Sequence, residues 1–478
     1  MCLIPFLDRL WQGRRVNTVD YLDGLAGMSG RTGGEQQAVL ARTIGTGDAV
    51  VIGLGAMLGA GVFAAFAPAA RAAGAALLLA LAAAAVVAYC NAICSARLAA
   101  RYPQAGGTYV YGRRRLGDFW GYLAGASFIA GKTASCAAMA LTVGAYTWPG
   151  HERPVAAGAA VTLTAINCSG VRRAAWLTRL IVAVVLAVLA VVVAVCVTSG
   201  AAEPARLSPA GSAGPAWSGL PQAAGLLFFA FAGYARVATL GEEVRDPRRT
   251  IRRAIPVALG VTLVVYAAVA VALLLVLPVG VLGASSAPLA DAVRAAGVPD
   301  LAPVVRVGAA LGALGSLLAL ILGVSRTTLA MARDGHLPTP LAAVHPRFGV
   351  PHRAEIVVGA AVTVLVLCAD LRGAIGFSSF GVLLYYAVAN AAAWTLSPTE
   401  GRPARAVPVV GFAGCLLLAF SLPGASVAGG CAVLAVAAVV YAVRRRTARS
   451  AGPGRRVNTV DHTVGSTRIR GRDGIGRG

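Results

Sequence analysis

A chain that carries twelve apolar runs of near-membrane length has few folds open to it. Such runs lie at about residues 48–70, 75–98, 119–147, 154–169, 176–198, 220–241, 255–277, 303–330, 354–370, 374–396, 406–422 and 425–443. A helix needs about 20 apolar residues to cross a bilayer. Within hydrocarbon every backbone N–H and C=O must be satisfied by the segment itself, which selects helices over open strands. The shortest runs, 154–169, 354–370 and 406–422, are the weakest candidates. The chain is 58% hydrophobic and 13% charged with mean hydropathy +0.74, and so reads as an all-α polytopic membrane protein.

The formal charge of +23 points to membrane topology rather than to nucleic acid, because the cations sit between the apolar runs. All are arginine except Lys132, a bias expected of a GC-rich genome. With the N-terminus inside, cytosolic segments hold 34 arginines and outer loops six, which places both termini in the cytoplasm and the protein in the plasma membrane. The resulting organisation is a disordered tail over 1–46, a transmembrane domain over 47–444 and a disordered basic tail over 445–478. No cleavable signal is visible before the first run, and Met28 is a second candidate start. The octapeptide GRRVNTVD occurs in both tails, at Gly13–Asp20 and Gly454–Asp461. It reads either as duplicated or non-coding sequence or as a paired docking motif. Nine cysteines show neither a disulfide framework nor metal-ligand spacing, and no cofactor motif is present.

The first run is unusual. Between Asp48 and Pro68 it places Gly53, Gly55, Gly59 and Gly61 where a simple anchor would carry leucine. Each glycine weakens a helix by about 1 kcal/mol, and irregular backbone survives at membrane depth only where it lines a protein interior. Leu58–Val62 is therefore a candidate break, unless the glycines merely allow close helix packing. The sixth run offers a second, where Gly233 and Tyr234 precede Arg236 midway through apolar sequence. Breaks in runs 1 and 6 are what two inverted five-helix repeats predict, with a ligand between them and two further helices beyond. Two nucleotide-binding alternatives fail. Gly53-x-Gly55-x-x-x-Gly59 lacks a strand before it, and Gly125 to Gly131-Lys132-Thr133 has five residues where a phosphate loop needs four.

Five stretches carry a wider likeness: Ile52–Phe63, Ala99–Gly125, Phe228–Ile251, Ser325–Pro338 and Val344–Glu355. Through them the chain resembles the amino acid–polyamine–organocation superfamily of permeases, in particular bacterial members akin to cationic amino acid transporters. The resemblance implies a LeuT-type fold with helices 1 and 6 unwound. It implies that the amides of Gly59, Ala60, Gly61 and Val62 receive a substrate carboxylate, a role suited to a half-helix N-terminus. The carbonyls of Ala56, Met57, Phe231 and Ala232 would receive the ammonium, while Gly233, Tyr234 and Ala235 line the side-chain pocket with some of Tyr385, Tyr386 and Asn390. The sequence departs from the family pattern at Arg252, where a Thr-Ile-Pro is usual.

Lys132 lies 14 residues past Asp118, about 21 Å along a helix, too deep to snorkel. It is a candidate proton carrier, with a structural bond to backbone carbonyls or a substrate contact as alternatives. Glu242 and Glu243 are gate candidates with Arg113, Arg248 or Arg333, or else a solvated helix end. Asp48 is a helix N-cap or part of the inner gate. Ser316, Ser325 and Thr327 are oxygens available to a sodium ion.

The function expected is a secondary transporter that imports amino acids or related amines by alternating access, coupled to protons as a symporter. The partners are a small-molecule substrate, protons and the bilayer, and the oligomeric state is open. The alternatives are an exchanger, or a non-transporting sensor of the same fold that signals through its tails. No paired acids or histidine clusters suggest an enzyme. No acid lies in the expected pocket, which weighs against a cationic side chain.

Overall fold

The fold is that of a computed structural model describing residues 45–102, 104, 106–170, 175–207, 217–238 and 244–450. Glu242, Glu243 and both copies of GRRVNTVD lie outside the described residues. In chain order the helices are α1 (Thr46–Met57), α2 (Ala60–Ala64), α3 (Phe66–Ala73), α4 (Leu77–Arg101), α5 (Thr108–Leu116) and α6 (Asp118–Thr147). Then follow α7 (Glu152–Cys168), α8 (Ala175–Thr198), α9 (Leu220–Phe231), α10 (Ala235–Ala238), α11 (Pro247–Val276) and α12 (Val279–Ala284). The last are α13 (Pro288–Ala295), α14 (Ala302–Arg333), α15 (His352–Cys368), α16 (Leu371–Trp394), α17 (Ala406–Phe420) and α18 (Gly424–Ser450).

Helix lies over every one of the twelve apolar runs, and eight of the described helices are long and apolar enough to cross a membrane. The shortfall falls on α7, α15 and α17, at 17, 17 and 15 residues, and on the interrupted pair α9–α10. These include the three runs that the sequence marks as weakest. The starts and stops follow local chemistry. Asp246 caps α11 by accepting from the Arg249 amide, and Asp370 caps α16 by accepting from Gly373. Gly117, at φ 102°, turns the chain from α5 into α6 in a conformation that a residue with a Cβ resists.

Packing sorts the helices into inner and outer ones. The apolar window of α6 is 83% buried within the protein, that of α16 78%, and that of α18 only 11%. The inner pair is joined by small residues. A Cβ on Gly131 would stand 3.1 Å from Ser378 O and the Val382 amide, and one on Gly381 would stand 2.8 Å from Ser127 O. Backbones that approach so closely gain dispersion where the lipid supplies no hydrophobic driving force. The Ser135 and Ser378 hydroxyls meet across the same seam at 2.5 Å. The outer face of α18, with Val436, Val439 and Val443 exposed, is the surface an acyl-chain environment accommodates.

Candidate functional site

Both candidate breaks interrupt their helices. α1 ends at Met57, and Leu58 (φ −79°, ψ 26°) and Gly59 (φ −85°, ψ −136°) carry the chain out of helical geometry before α2 resumes at Ala60. From there Ala65, at φ −78° and ψ −22°, keeps α2 in helical register with α3. No side chain caps the new N-terminus. The first amides of a helix have no intrahelical acceptor, so those at Ala60, Gly61 and Val62 are donors in need of partners. The second interruption is a tightening, with Ala232–Tyr234 forming a 3-10 turn between α9 and α10.

The two interruptions touch. A Cβ on Gly233 would fall 2.3 Å from Ala56 O and 2.7 Å from the Met57 amide, and one on Gly61 would fall 2.6 Å from the Ala230 Cα. Only glycine permits these approaches, so the packing reading of the glycines holds at both positions. It does not compete with the break, because close contact is what brings one open backbone against the other. Gly59 faces α14, where its missing Cβ leaves room for the Ser316 side chain, whose hydroxyl donates to Gly55 O at 3.0 Å.

Side chains from outside the breaks claim several freed carbonyls. The Lys132 ammonium, on a side chain 5% exposed, donates to Ala232 O at 3.1 Å. The Tyr266 hydroxyl of α11 lies 2.5 Å from Met57 O and 3.0 Å from Ala230 O. Its single proton is shared between the two broken helices. Tyr146, at the end of α6, donates to Phe63 O at 2.9 Å. Of the residues expected to hold an ammonium, Met57 and Ala232 thus already present carbonyls to donors. Ala56, Phe231, Gly233 and Tyr234 sit in the same contact zone.

Tyr234 is fully buried and stacks on Tyr386 of α16, ring centroids 5.0 Å apart at 29°. Behind the pair, the Asn390 amide donates to Asn91 Oδ1 at 2.6 Å, and Asn91 donates to Cys415 Sγ at 3.2 Å. The Tyr234 and Tyr386 hydroxyls are buried side by side, close to Asn91. This flank is polar and uncharged. Tyr385 faces elsewhere, its hydroxyl accepting from the Thr108 amide at 2.9 Å. Of the candidate sodium oxygens, Ser325 and Thr327 bond back to Ile321 O and Gly323 O of their own helix.

At the arginine-rich end Glu242 and Glu243 lie outside the described residues, and the described ion pairs are made by other acids. Arg113 engages Asp118 at 3.0 Å and also Asp334, so it is already paired to acids other than Glu242 or Glu243. Tyr109 donates to Asp334 at 2.6 Å and lies 2.8 Å from His336 Nδ1. Burial, then the nearby Arg113 guanidinium, holds the His336 imidazole below its usual range. Glu400 collects Arg115 at 2.5 Å and Arg101 at 3.2 Å, and is drawn down to about 2, chiefly by its bond to Arg115. Asp48 does not cap α1. The helix begins before it, with Gly45 at the N-cap, and Asp48 pairs with Arg179 of α8.

Sequence reasoning missed Tyr266, which ties both breaks together. A signal was present, since a lone tyrosine midway through the apolar run 255–277 needs a buried partner for its hydroxyl. Asn91 and Cys415 were also missed. Asn91 is a polar residue in an alanine-rich run, while nothing separates Cys415 from an ordinary packing residue.

A family model described as amino acid permease matches residues 44–450. The chain is 68% identical over 412 residues to an uncharacterized transporter of Mycobacterium tuberculosis, covering 86% of this chain and 93% of that protein. It is 28% identical to cationic amino acid transporter 7 of Arabidopsis thaliana, over 77% of this chain and 67% of the relative. It is 27% identical to the methylthioribose transporter of Bacillus subtilis, over 84% and 93%.

Proposed function

The chain belongs to the amino acid permease family, and from that premise we propose that it is a secondary transporter of an amino acid or related amine, working by alternating access with the proton as coupled ion. The observation that carries this reading is the contact of two interrupted helices at Gly233 and Ala56, with the Lys132 ammonium on a carbonyl of the second break. An anionic carboxylate suits the amides of Gly59, Ala60, Gly61 and Val62, whose helix N-terminus is positive. An ammonium suits the carbonyls of Ala56, Met57, Phe231 and Ala232, which are acceptors of the kind that Lys132 uses. The substrate's shared backbone is read at the breaks, and Gly233, Tyr234 and Tyr386 border its side chain. The absence of an acid beside the Tyr234–Tyr386 pair, among the described residues, favours a side chain without positive charge.

The proposed frame is a LeuT-type arrangement of twelve spans in the plasma membrane, both termini cytoplasmic, supported by the helix over each apolar run and by the arginine asymmetry. The Arg113–Asp118–Asp334 and Arg179–Asp48 pairs then fall on the cytosolic face, where they join elements that must part for the site to open inward. Glu242 and Glu243 remain gate candidates for the same face. The test is uptake into proteoliposomes that hold the full chain, with radiolabelled amino acids and amines, with and without a pH gradient. Accumulation or exchange that rises with an imposed gradient is the expected result. If no probe accumulates or exchanges, the reading is wrong.

A further inference from the structure

We infer that the protonated Lys132 side chain is an internal occupant of the substrate's ammonium position, so that a bound amine expels its proton and the protein exchanges an ammonium for a proton. This rests on the transport reading above and fixes the sign of its coupling.

The chemistry of the two groups is the same. Lys132 presents a primary ammonium with three donors, and a substrate amine presents another. Among the described residues the one acceptor bonded to Nζ is Ala232 O, at 3.1 Å, in the 3-10 turn that interrupts the second helix. Ala232 is itself 3% exposed, so no bulk water shares the contact. The titratable side chain nearest it on the same helix is the neutral thiol of Cys136, one turn further along α6. No Asp, Glu, Arg or His acts on it from the described parts of α2, α5, α7, α14, α15, α16, α18 or the 3-10 turn, the elements packed against α6 and its bond. The charge has no counter-ion there.

A substrate ammonium on the carbonyls of the same turn would stand about 4 Å from Nζ. At the effective dielectric of protein interiors, two like charges at that separation weaken binding by about a thousandfold. The two are therefore mutually exclusive as cations. The Lys132 stem is enclosed, so the head cannot retreat to water as surface lysines do. It yields by losing a proton to the water on the side from which the substrate entered. The neutral amine then accepts a hydrogen bond from the substrate ammonium. After the site reopens on the other side and the substrate leaves, Lys132 takes a proton from that side and restores its bond to Ala232 O. One ammonium has crossed in one direction and one proton in the other, and the ammonium position carries one positive charge in both half-cycles. Symport would instead need both cations in place at once.

The full chain is reconstituted with a pH-sensitive dye in the lumen and the membrane potential clamped by potassium and valinomycin. Radiolabelled L-alanine, L-lysine and putrescine serve as probes. The lumen should turn alkaline as a probe enters, and apparent affinity should fall by up to about tenfold for each pH unit of acidification. Lys132→Met should bind the probe with no such pH dependence. Lys132→Arg, a permanent cation, should bind about a thousandfold more weakly at every pH. Thermal melting and gel filtration establish that the variants fold, and if neither folds the dye signal of the wild-type protein decides alone. Uptake that acidifies the lumen overturns the exchange while the transport reading stands; uptake that leaves its pH unchanged overturns both the exchange and the proton coupling, and leaves only the transport of an amino acid or amine. No uptake or exchange of any probe overturns both.

Discussion

At the first break the chain leaves helical space, with Gly59 at ψ −136°, whereas at the second Ala232 (φ −63°, ψ −1°) and Ala235 (φ −50°, ψ −32°) remain within it. An opened helix creates a new N-terminus, with unpaired donors and a positive end. A helix that tightens to 3-10 keeps its direction but shifts its bonding, so that the Ala232 amide reaches both Phe228 O and Phe229 O and carbonyls nearby turn to side chains. On the reading proposed above, the amides of the first break suit an anion, and the carbonyls of the two breaks together suit a cation. A zwitterion needs both, and the contact of Gly233 with the Ala56–Met57 peptide places them side by side.

The comparison is most severely broken by filling that contact. Gly233→Val places its Cβ 2.3 Å from Ala56 O, which is backbone and cannot turn aside. Overpacking costs about 1–3 kcal/mol and occasionally more, and this variant should lie at or beyond the upper end, with a lowered melting temperature and no uptake. Gly158→Val, where nothing lies within 4 Å, is the control that should leave both readouts near the parent. Gly61→Ala, whose Cβ would meet the Ala230 Cα at 2.6 Å, tests the same contact from the first break and should cost somewhat less.

Tyr266→Phe separates the breaks energetically while preserving shape. It removes the donor from Met57 O and Ala230 O, which are left in the interior. A buried group without a partner costs about 1–3 kcal/mol, read as a loss of stability in thermal or chemical unfolding. Ser316→Ala, on the first break alone, loses one neutral bond to Gly55 O and should cost about 1 kcal/mol.

The smallest effect belongs to the arginine-rich end. The folded protein holds the His336 imidazole below its usual range, so the neutral form is favoured by folding. The stability this confers is present above the unfolded-state value, about 6.5, and declines as pH falls through it. His336→Gln should flatten the melting temperature between pH 5 and pH 8 by a few degrees at most, values that bracket about 6.5. It should leave the pH dependence of probe binding intact, if that dependence originates at Lys132.

The sequence by itself determined that the chain is helical and crosses a membrane, because apolar length and backbone satisfaction leave no other option. It also located both interruptions, since clustered glycine in an apolar run and an arginine midway through another are costly unless the backbone there is used. It placed Lys132 in the interior from helix rise alone. What only the tertiary structure decided are relations between residues far apart in the chain. Lys132 meets a carbonyl 100 positions away, and Tyr266 bridges residues 209 and 36 positions away. Arg113 meets Asp334, 221 positions away, and Asp48 took Arg179 rather than a helix end. The pattern of apolarity along a chain records which residues are buried. The choice of partner depends on which helices pack together, and that is set by the small residues on their seams, whose spacing many pairings satisfy equally well.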